Sequence, residues 1–267
     1  MKPQTISIIG GRGKMGSLFA ESFRSLEYAV LVSNERNTDN IELAQQGDVV
    51  IVSVPLEKTE QVIEQIGPYV RKEALLTDFT SVKMKPVAAM LKYSQAEVIG
   101  GHPLFGSDLG LADQNMILCP ERGGKYLSLY QSTLESLGMK VTVMNPEEHD
   151  KSMAVMQCLT HFSNLVFSYA LTKIDQKQIP QEVTTPAYLL RLYASARMLS
   201  QDPSLYTGIL SENPFAENAV RAYGQAVKEV SALLQENKTA ELEELLSSLQ
   251  KDFKNHPCLE RKEDKDY

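Results

Sequence analysis

The chain has no tryptophan, and only three cysteines and four histidines among its 267 residues. Cys119, Cys158 and Cys258 are few, odd in number and irregularly spaced, so neither a disulfide framework nor a zinc or other metal site is expected. No apolar run approaches the roughly 20 residues needed to cross a bilayer. Positive charge is in deficit: 27 Lys and Arg stand against 34 Asp and Glu, a formal net charge of −7. That balance argues against nucleic acid and membrane surfaces as partners, since both attract basic faces. It still allows a local basic pocket for a small anion. Met1-Lys2-Pro3-Gln4 runs straight into a β-branched stretch, without the charged and apolar regions of a leader. The expected compartment is therefore the cytoplasm.

What is present is a core-forming composition, with 43% hydrophobic residues in a length that suits one large domain or two ordinary ones. Residues 5–9, 28–32, 48–54, 74–78 and 97–100 read as strands. Stretches 17–26, 59–66 and 82–93 between them read as helices. Strands at 116–119 and 140–143 follow, around a helix at 126–137. This alternation predicts a mostly parallel sheet wrapped by helices, an α/β Rossmann architecture. The texture changes at Asn145-Pro146. Residues 147–173, 185–200, 213–235 and 240–254 read as helices, and no strand follows. The expected organisation is a dinucleotide-binding domain over 1–145, an all-α domain over 146–259, and a frayed charged tail over 260–267.

Gly11-Arg12-Gly13-Lys14-Met15-Gly16 sits between an apolar strand and a helix, the context that gives a GxGxxG pattern meaning. Gly11 is expected to make the tight turn, Gly13 to admit the pyrophosphate, and Gly16 to let helix and strand pack closely. The helix N-terminus offers unpaired N–H groups to phosphate. The second strand ends in Ser33-Asn34-Glu35-Arg36. Asn34 or Ser33 stands where an acid for the ribose hydroxyl is usual. Arg36 would suit a 2′-phosphate and Glu35 a free hydroxyl, which leaves NAD and NADP both open.

Three further segments fall at strand ends, where such sheets bind ligands. They contain Ser53, Val54 and Pro55; Thr80 and Ser81; and His102. Ser53, Val54, Pro55 and Thr80 are assigned to the cofactor side. His102, between glycines and a proline, is read as restricted and exposed, and fit to accept a proton from a hydroxyl that loses hydride at the same carbon. Gln157 lies one helical turn before His161 on the same face. His149 is read as structural, and His256 as solvated.

The segments GGRGKMG, VIVSVP, DFTSVK, GGHPLFG, QNMILCP, EEHDKSMAVMQCLTHF and RMLSQDPSLY, in that order, resemble the prephenate dehydrogenase family over nearly the whole chain. The likeness is to the dehydrogenase portion of enterobacterial-type enzymes, without their fused chorismate mutase. The resemblance implies a Rossmann domain followed by a helical domain that forms a homodimer, with residues 151–172 apolar enough to be partly covered in it. It also implies oxidative decarboxylation of prephenate to 4-hydroxyphenylpyruvate, in tyrosine biosynthesis, with hydride passing to NAD or NADP.

By the same resemblance His102 bonds the substrate hydroxyl and assists its deprotonation. Ser81 bonds that hydroxyl or orients His102, a role compatible with a helix N-cap. Arg197 grips a substrate carboxylate through its fork. His161 lines the pocket or is a buried structural residue, and Tyr206 stands where many relatives have tryptophan. Some relatives carry another basic residue shortly before Arg197, where only Arg191 is available here. That departure keeps arogenate open beside prephenate. A β-hydroxyacid dehydrogenase would need a lysine on the first helix after the boundary, where only Lys151 is offered. A non-catalytic dinucleotide sensor would not need Ser81, His102 and Arg197 together.

Overall fold

The computed structural model describes residues 5–33, 38–174 and 183–254. Asn34 and Arg36, Cys258 and the tail from 260 lie outside the described residues. Strands β1 (Thr5–Ile9), β2 (Ala29–Val32), β3 (Val49–Val52), β4 (Leu75–Asp78), β5 (Glu97–Pro103), β6 (Asn115–Arg122) and β7 (Lys140–Val143) form one sheet. Its order is β2-β1-β3-β4-β5-β6-β7. All neighbours are parallel except β5 and β6. Helices α1 (Lys14–Ser25), α2 (Thr38–Gln46), α3 (Leu56–Ile66), α4 (Met84–Tyr93) and α5 (Lys125–Ser136) are its crossovers and cover.

β3 is apolar at every position because both faces of the sheet are covered. Val49 and Ile51 face a layer containing Phe19, Phe23 and Leu134. Val50 and Val52 face the opposite layer, with Ile63, Ile66 and Met90. A period of two thus feeds two cores from one strand.

β5 extends beyond the expected stop at Gly100, because antiparallel β6 pairs His102 with Ile117 and Pro103 with Met116. His102 is therefore a strand residue and 2% exposed. This corrects the expectation that its glycine and proline neighbours expose it.

Among the described residues the last strand is β7, and Asn145 then starts α6 (Pro146–Met153) with a capping box. Its side chain accepts from the Glu148 N–H, and Glu148 reaches back to the Asn145 N–H. One continuous helix over 147–173 is not found. A π-helical turn (Ala154–Leu159) separates α6 from α7 (Thr160–Leu171). α8 (Pro186–Leu199) and α9 (Pro203–Glu212) follow.

By packing, a first compact unit runs to Ala216. The reason is local: Met153 packs on Ile117 and Cys119 of β6, and Asn213 donates to the Asp150 carbonyl, so the first helices after the boundary are fastened to the sheet. The second unit, Glu217–Tyr267, holds most of α10 (Ala216–Gln235) and all of α11 (Thr239–Lys254). Asn237, at φ 54, makes the left-handed turn between those two helices. Among the described residues, no helix is long and apolar enough to cross a membrane.

Candidate active site

The glycine turn joins β1 to α1. Within the turn Gly10 has positive φ, at 81°. Its N–H donates to Ser33 Oγ at 2.9 Å, so Ser33 holds the turn. A Cβ on Gly10 would strike the Ser53 carbonyl oxygen at 2.3 Å, which puts the Ser53-Val54-Pro55 corner directly against the turn. A Cβ on Gly16 would lie 2.6 Å from the Gly10 carbonyl oxygen. α1 begins at Gly13 with no side-chain cap. Its first-turn N–H groups, with Arg12, Lys14 and Met15 around them, form a cradle for a phosphate. The residues present fit a dinucleotide.

Beyond the turn a cleft of about 530 Å³ opens within the first unit. Lys14 and Met15 border it, and Ser81, His102, Gln157, His161, Arg197 and Tyr206 line it. Six sequence-predicted site residues from four of the quoted segments thus share one cavity with the turn. Local chemistry explains how each gets there. Asp202 caps α9 by accepting from the Ser204 N–H at 2.9 Å, and Pro203 fits the first helical position. That Asp-Pro corner ends α8 and sets Arg197 and Tyr206 on two helices facing one space. Tyr206 meets the His161 ring edge to face, with centroids 4.7 Å apart. His161 Nδ1 is buried without a partner among the described residues, and burial lowers its pKa.

Arg197 is held by a residue not singled out in the sequence. Its Nη1 lies 3.2 Å from Asp108 Oδ2, and its Nη2 lies 3.3 Å from Oδ1. Both side chains are about half exposed.

Thr80 is not turned to the cleft. Its hydroxyl lies among the Asp78 carboxylate, the Val82 carbonyl and the Lys83 ammonium. Ser81 is not the cap of α4. The cap position is Lys83, and Asp150 of α6 takes the Lys83 N–H at 2.7 Å and the Met84 N–H at 3.0 Å. Pro86 is harmless near the start of α4, since first-turn N–H groups lack intrahelical partners.

His102 is fixed from both sides. The ion pair of Asp78 and Lys83 has no exposed side-chain surface. Lys83 Nζ also donates to the Gly101 carbonyl at 2.7 Å, and Asp78 Oδ1 accepts from the Gly101 N–H at 3.1 Å. The residue before His102 is thereby clamped at both backbone groups. His102 Nδ1 lies 2.8 Å from His149 Nε2, and His149 Nδ1 lies 2.7 Å from Asp150 Oδ1. His102 Nε2 is 3.4 Å from Gln157 Nε2, at the cleft. Burial, then His149, then Lys83 hold the His102 pKa well below the ordinary value. Burial also lowers that of His149, against the pull of Asp150. Both rings are neutral bases.

Sequence reasoning treated His149 as structural and did not single out Asp78, Lys83, Asp108 or Asp150. The one local signal was Glu147-Glu148-His149-Asp150, four ionisable residues in a row directly after a helix cap.

The family description "Prephenate dehydrogenase, nucleotide-binding domain" matches residues 20–143, and "Prephenate dehydrogenase, dimerization domain" matches residues 145–248. The first match begins after the glycine turn. A probable arogenate/prephenate dehydrogenase of Methanocaldococcus jannaschii is 34% identical over 86% of this chain and 56% of its own length. The T-protein of Haemophilus influenzae is 35% identical over 83% of this chain and 61% of its own. The chain thus spans under two thirds of these relatives. Among solved structures, Aquifex aeolicus prephenate dehydrogenase, in complex with hydroxyphenyl propionate and NAD+, aligns over 94% of this chain and 98% of its own, with TM-score 0.76 and 21% identity. Synechocystis arogenate dehydrogenase aligns over 94% and 99%, with TM-score 0.71 and 20% identity. These two likenesses establish the fold.

Proposed function

The chain belongs to the prephenate dehydrogenase family, and on that premise we propose that it oxidatively decarboxylates prephenate, with NAD(P)+ as hydride acceptor. The observation that carries this is the shared cleft, where a neutral histidine, a serine and a forked cation face one space beside the nucleotide turn.

Bound NAD(P)+ supplies the acceptor for the carbinol hydride. Everything else falls to the chain. Prephenate has two carboxylates and a ring hydroxyl. Arg197 matches one carboxylate with its fork, and Lys14 at the cleft border adds a second positive charge. His102 Nε2 accepts the hydroxyl proton, with Ser81 as a second partner for that oxygen. Gln157 donates toward the same nitrogen and marks where the hydroxyl sits. Aromatisation drives the reaction, so the protein mainly aligns carbinol and acceptor.

A second reading, arogenate as substrate, is favoured by Asp108. Its carboxylate lines the cleft and suits the side-chain ammonium that distinguishes arogenate. Steady-state formation of reduced cofactor, followed by absorbance for each substrate with NAD+ and with NADP+, separates the readings. A kcat/KM at least about tenfold higher with prephenate is expected, a difference of about 1.4 kcal/mol in transition-state binding. No reduction in any of the four mixtures would leave a dinucleotide-binding protein without this chemistry.

We further propose a homodimer formed through the helical part that begins at residue 146. Val155, Met156, Leu165, Tyr169, Leu190 and Tyr193 are exposed apolar residues there. Light scattering of the purified chain at two times the monomer mass is the expected result. A mass of one chain rules the dimer out.

A further inference from the structure

We infer that His149 and Asp150 are positioning residues for the reaction: through a chain of three hydrogen bonded side chains they fix His102 in the tautomer whose bare Nε2 faces the substrate. This rests on the reading that His102 takes the hydroxyl proton.

The direction of each bond follows from the inner end. Asp150 is 0% exposed and accepts the Lys83 and Met84 backbone N–H groups, which can only donate. A carboxylate that accepts from two amides also accepts from His149 Nδ1–H at 2.7 Å. A neutral imidazole with its proton on Nδ1 has a lone pair on Nε2. The proton in the 2.8 Å contact therefore belongs to His102 Nδ1, and His102 Nε2 is left as the acceptor.

Neighbouring groups do not disturb the sequence. Lys83 is neutralised by Asp78, and all three of its ammonium protons are used, on Asp78, Thr80 and the Gly101 carbonyl. Cys119 of β6 is pushed up to about 12, mainly by burial, and stays a thiol. Among the described residues Asp150 is then the one carboxylate bonded to the histidine pair.

During turnover the substrate O–H bond breaks as the Nε2–H bond forms. The carbinol C–H pair leaves as hydride to the nicotinamide. The C–CO₂ pair enters the ring as carbon dioxide departs, and the ring oxygen recovers its proton from Nε2. Between those two proton transfers His102 is an imidazolium, and His149 carries its Nδ1–H toward the Asp150 charge. The arrangement works as an orienter, like the carboxylate behind a catalytic histidine in acyl transfer. Burying three ionisable groups for packing alone is poor economy, since apolar side chains of like volume are as stable or more so.

Two measurements test the inference. Nitrogen-15 NMR of histidine-labelled wild-type protein at neutral pH should find His102 protonated on Nδ1. Asp150→Asn and His149→Gln should each lower kcat about 10²-fold with KM within about twofold. In Asp150→Asn the acid limb of kcat/KM should also move to lower pH, because the imidazolium loses its counter-charge. His102 protonated on Nε2 in the wild type overturns the inference, whatever the variants do. Equal losses in kcat and 1/KM with an unmoved acid limb also overturn it. A wild type that reduces no cofactor, yet has the Nδ1–H tautomer, would instead count against the functional reading alone.

Discussion

Arg197 reaches Asp108 with both terminal nitrogens, Nη1 to Oδ2 at 3.2 Å and Nη2 to Oδ1 at 3.3 Å. That is the two-pronged geometry a substrate carboxylate requires. Exposed pairs of this kind are worth about 0–1 kcal/mol, so an incoming carboxylate displaces Asp108 at little cost. Arg197→Leu should raise KM for prephenate about 10- to 100-fold, the loss of a charged fork, with a smaller effect on kcat. Asp108→Asn should lower KM by up to about fivefold. Steady-state kinetics of both variants check this, and an unchanged KM in Arg197→Leu would remove the residue from substrate binding.

His102→Asn should lower kcat about 10²- to 10⁴-fold and leave KM near the wild-type value. The residue is a strand member clamped through Gly101, so this substitution should leave the fold intact. Circular dichroism of the variant controls for folding.

Lowered histidine pKa values set the direction of two pH effects. His102 must be neutral to accept a proton, so kcat/KM should be level through pH 6.5 and fall only at more acid pH. For stability, the unfolded chain binds protons at an ordinary histidine value, while buried His102 and His149 resist them. Stability therefore rises with pH between the lowered folded values and about 6.5, and is level above. The slope should be about 1.4 kcal/mol per pH unit for each histidine. Urea melts over a pH series measure it, and no loss of stability on acidification below 6.5 would contradict the neutral pair.

Gly16→Ala places a methyl 2.6 Å from the Gly10 carbonyl oxygen, which already accepts the Gly13 N–H at 2.9 Å within the turn. NAD(P)H binding, followed by cofactor fluorescence, should weaken at least about tenfold, or about 1.4 kcal/mol. Unaltered binding would mean that the turn yields.

Removing one member of the buried ion pair, as in Lys83→Met or Asp78→Asn, should cost about 3–5 kcal/mol by leaving an uncompensated charge. Replacing both members with apolar residues should cost less than either single change. Urea denaturation of the three variants checks the order.

The legible parts of this molecule were those written in short stretches. The Val49–Val52 run declares a buried strand by itself. The glycine turn carries its own conformational chemistry. What was hidden depended on contacts across the chain. β5 runs on to Pro103 only because β6 arrives antiparallel, and that pairing turned an expected exposed histidine into a buried one. Asp150 caps α4 from 66 residues away, which displaced Ser81 from the expected capping role. His149 carried no local mark of its link to His102, 47 residues earlier. The helices α2 and α9 were passed over because short amphipathic segments have little periodicity to read.

His149 and Asp150 are 0% exposed, and that seal has a consequence for traffic with the solvent. A hydrogen taken inward at His102 has one exit, back through the nitrogen where it entered. In the proposed reaction the ring oxygen ends with the hydrogen it began with, so nothing has to leave. Each cycle restores the starting state without exchange with bulk water. Turnover should therefore not depend on buffer concentration.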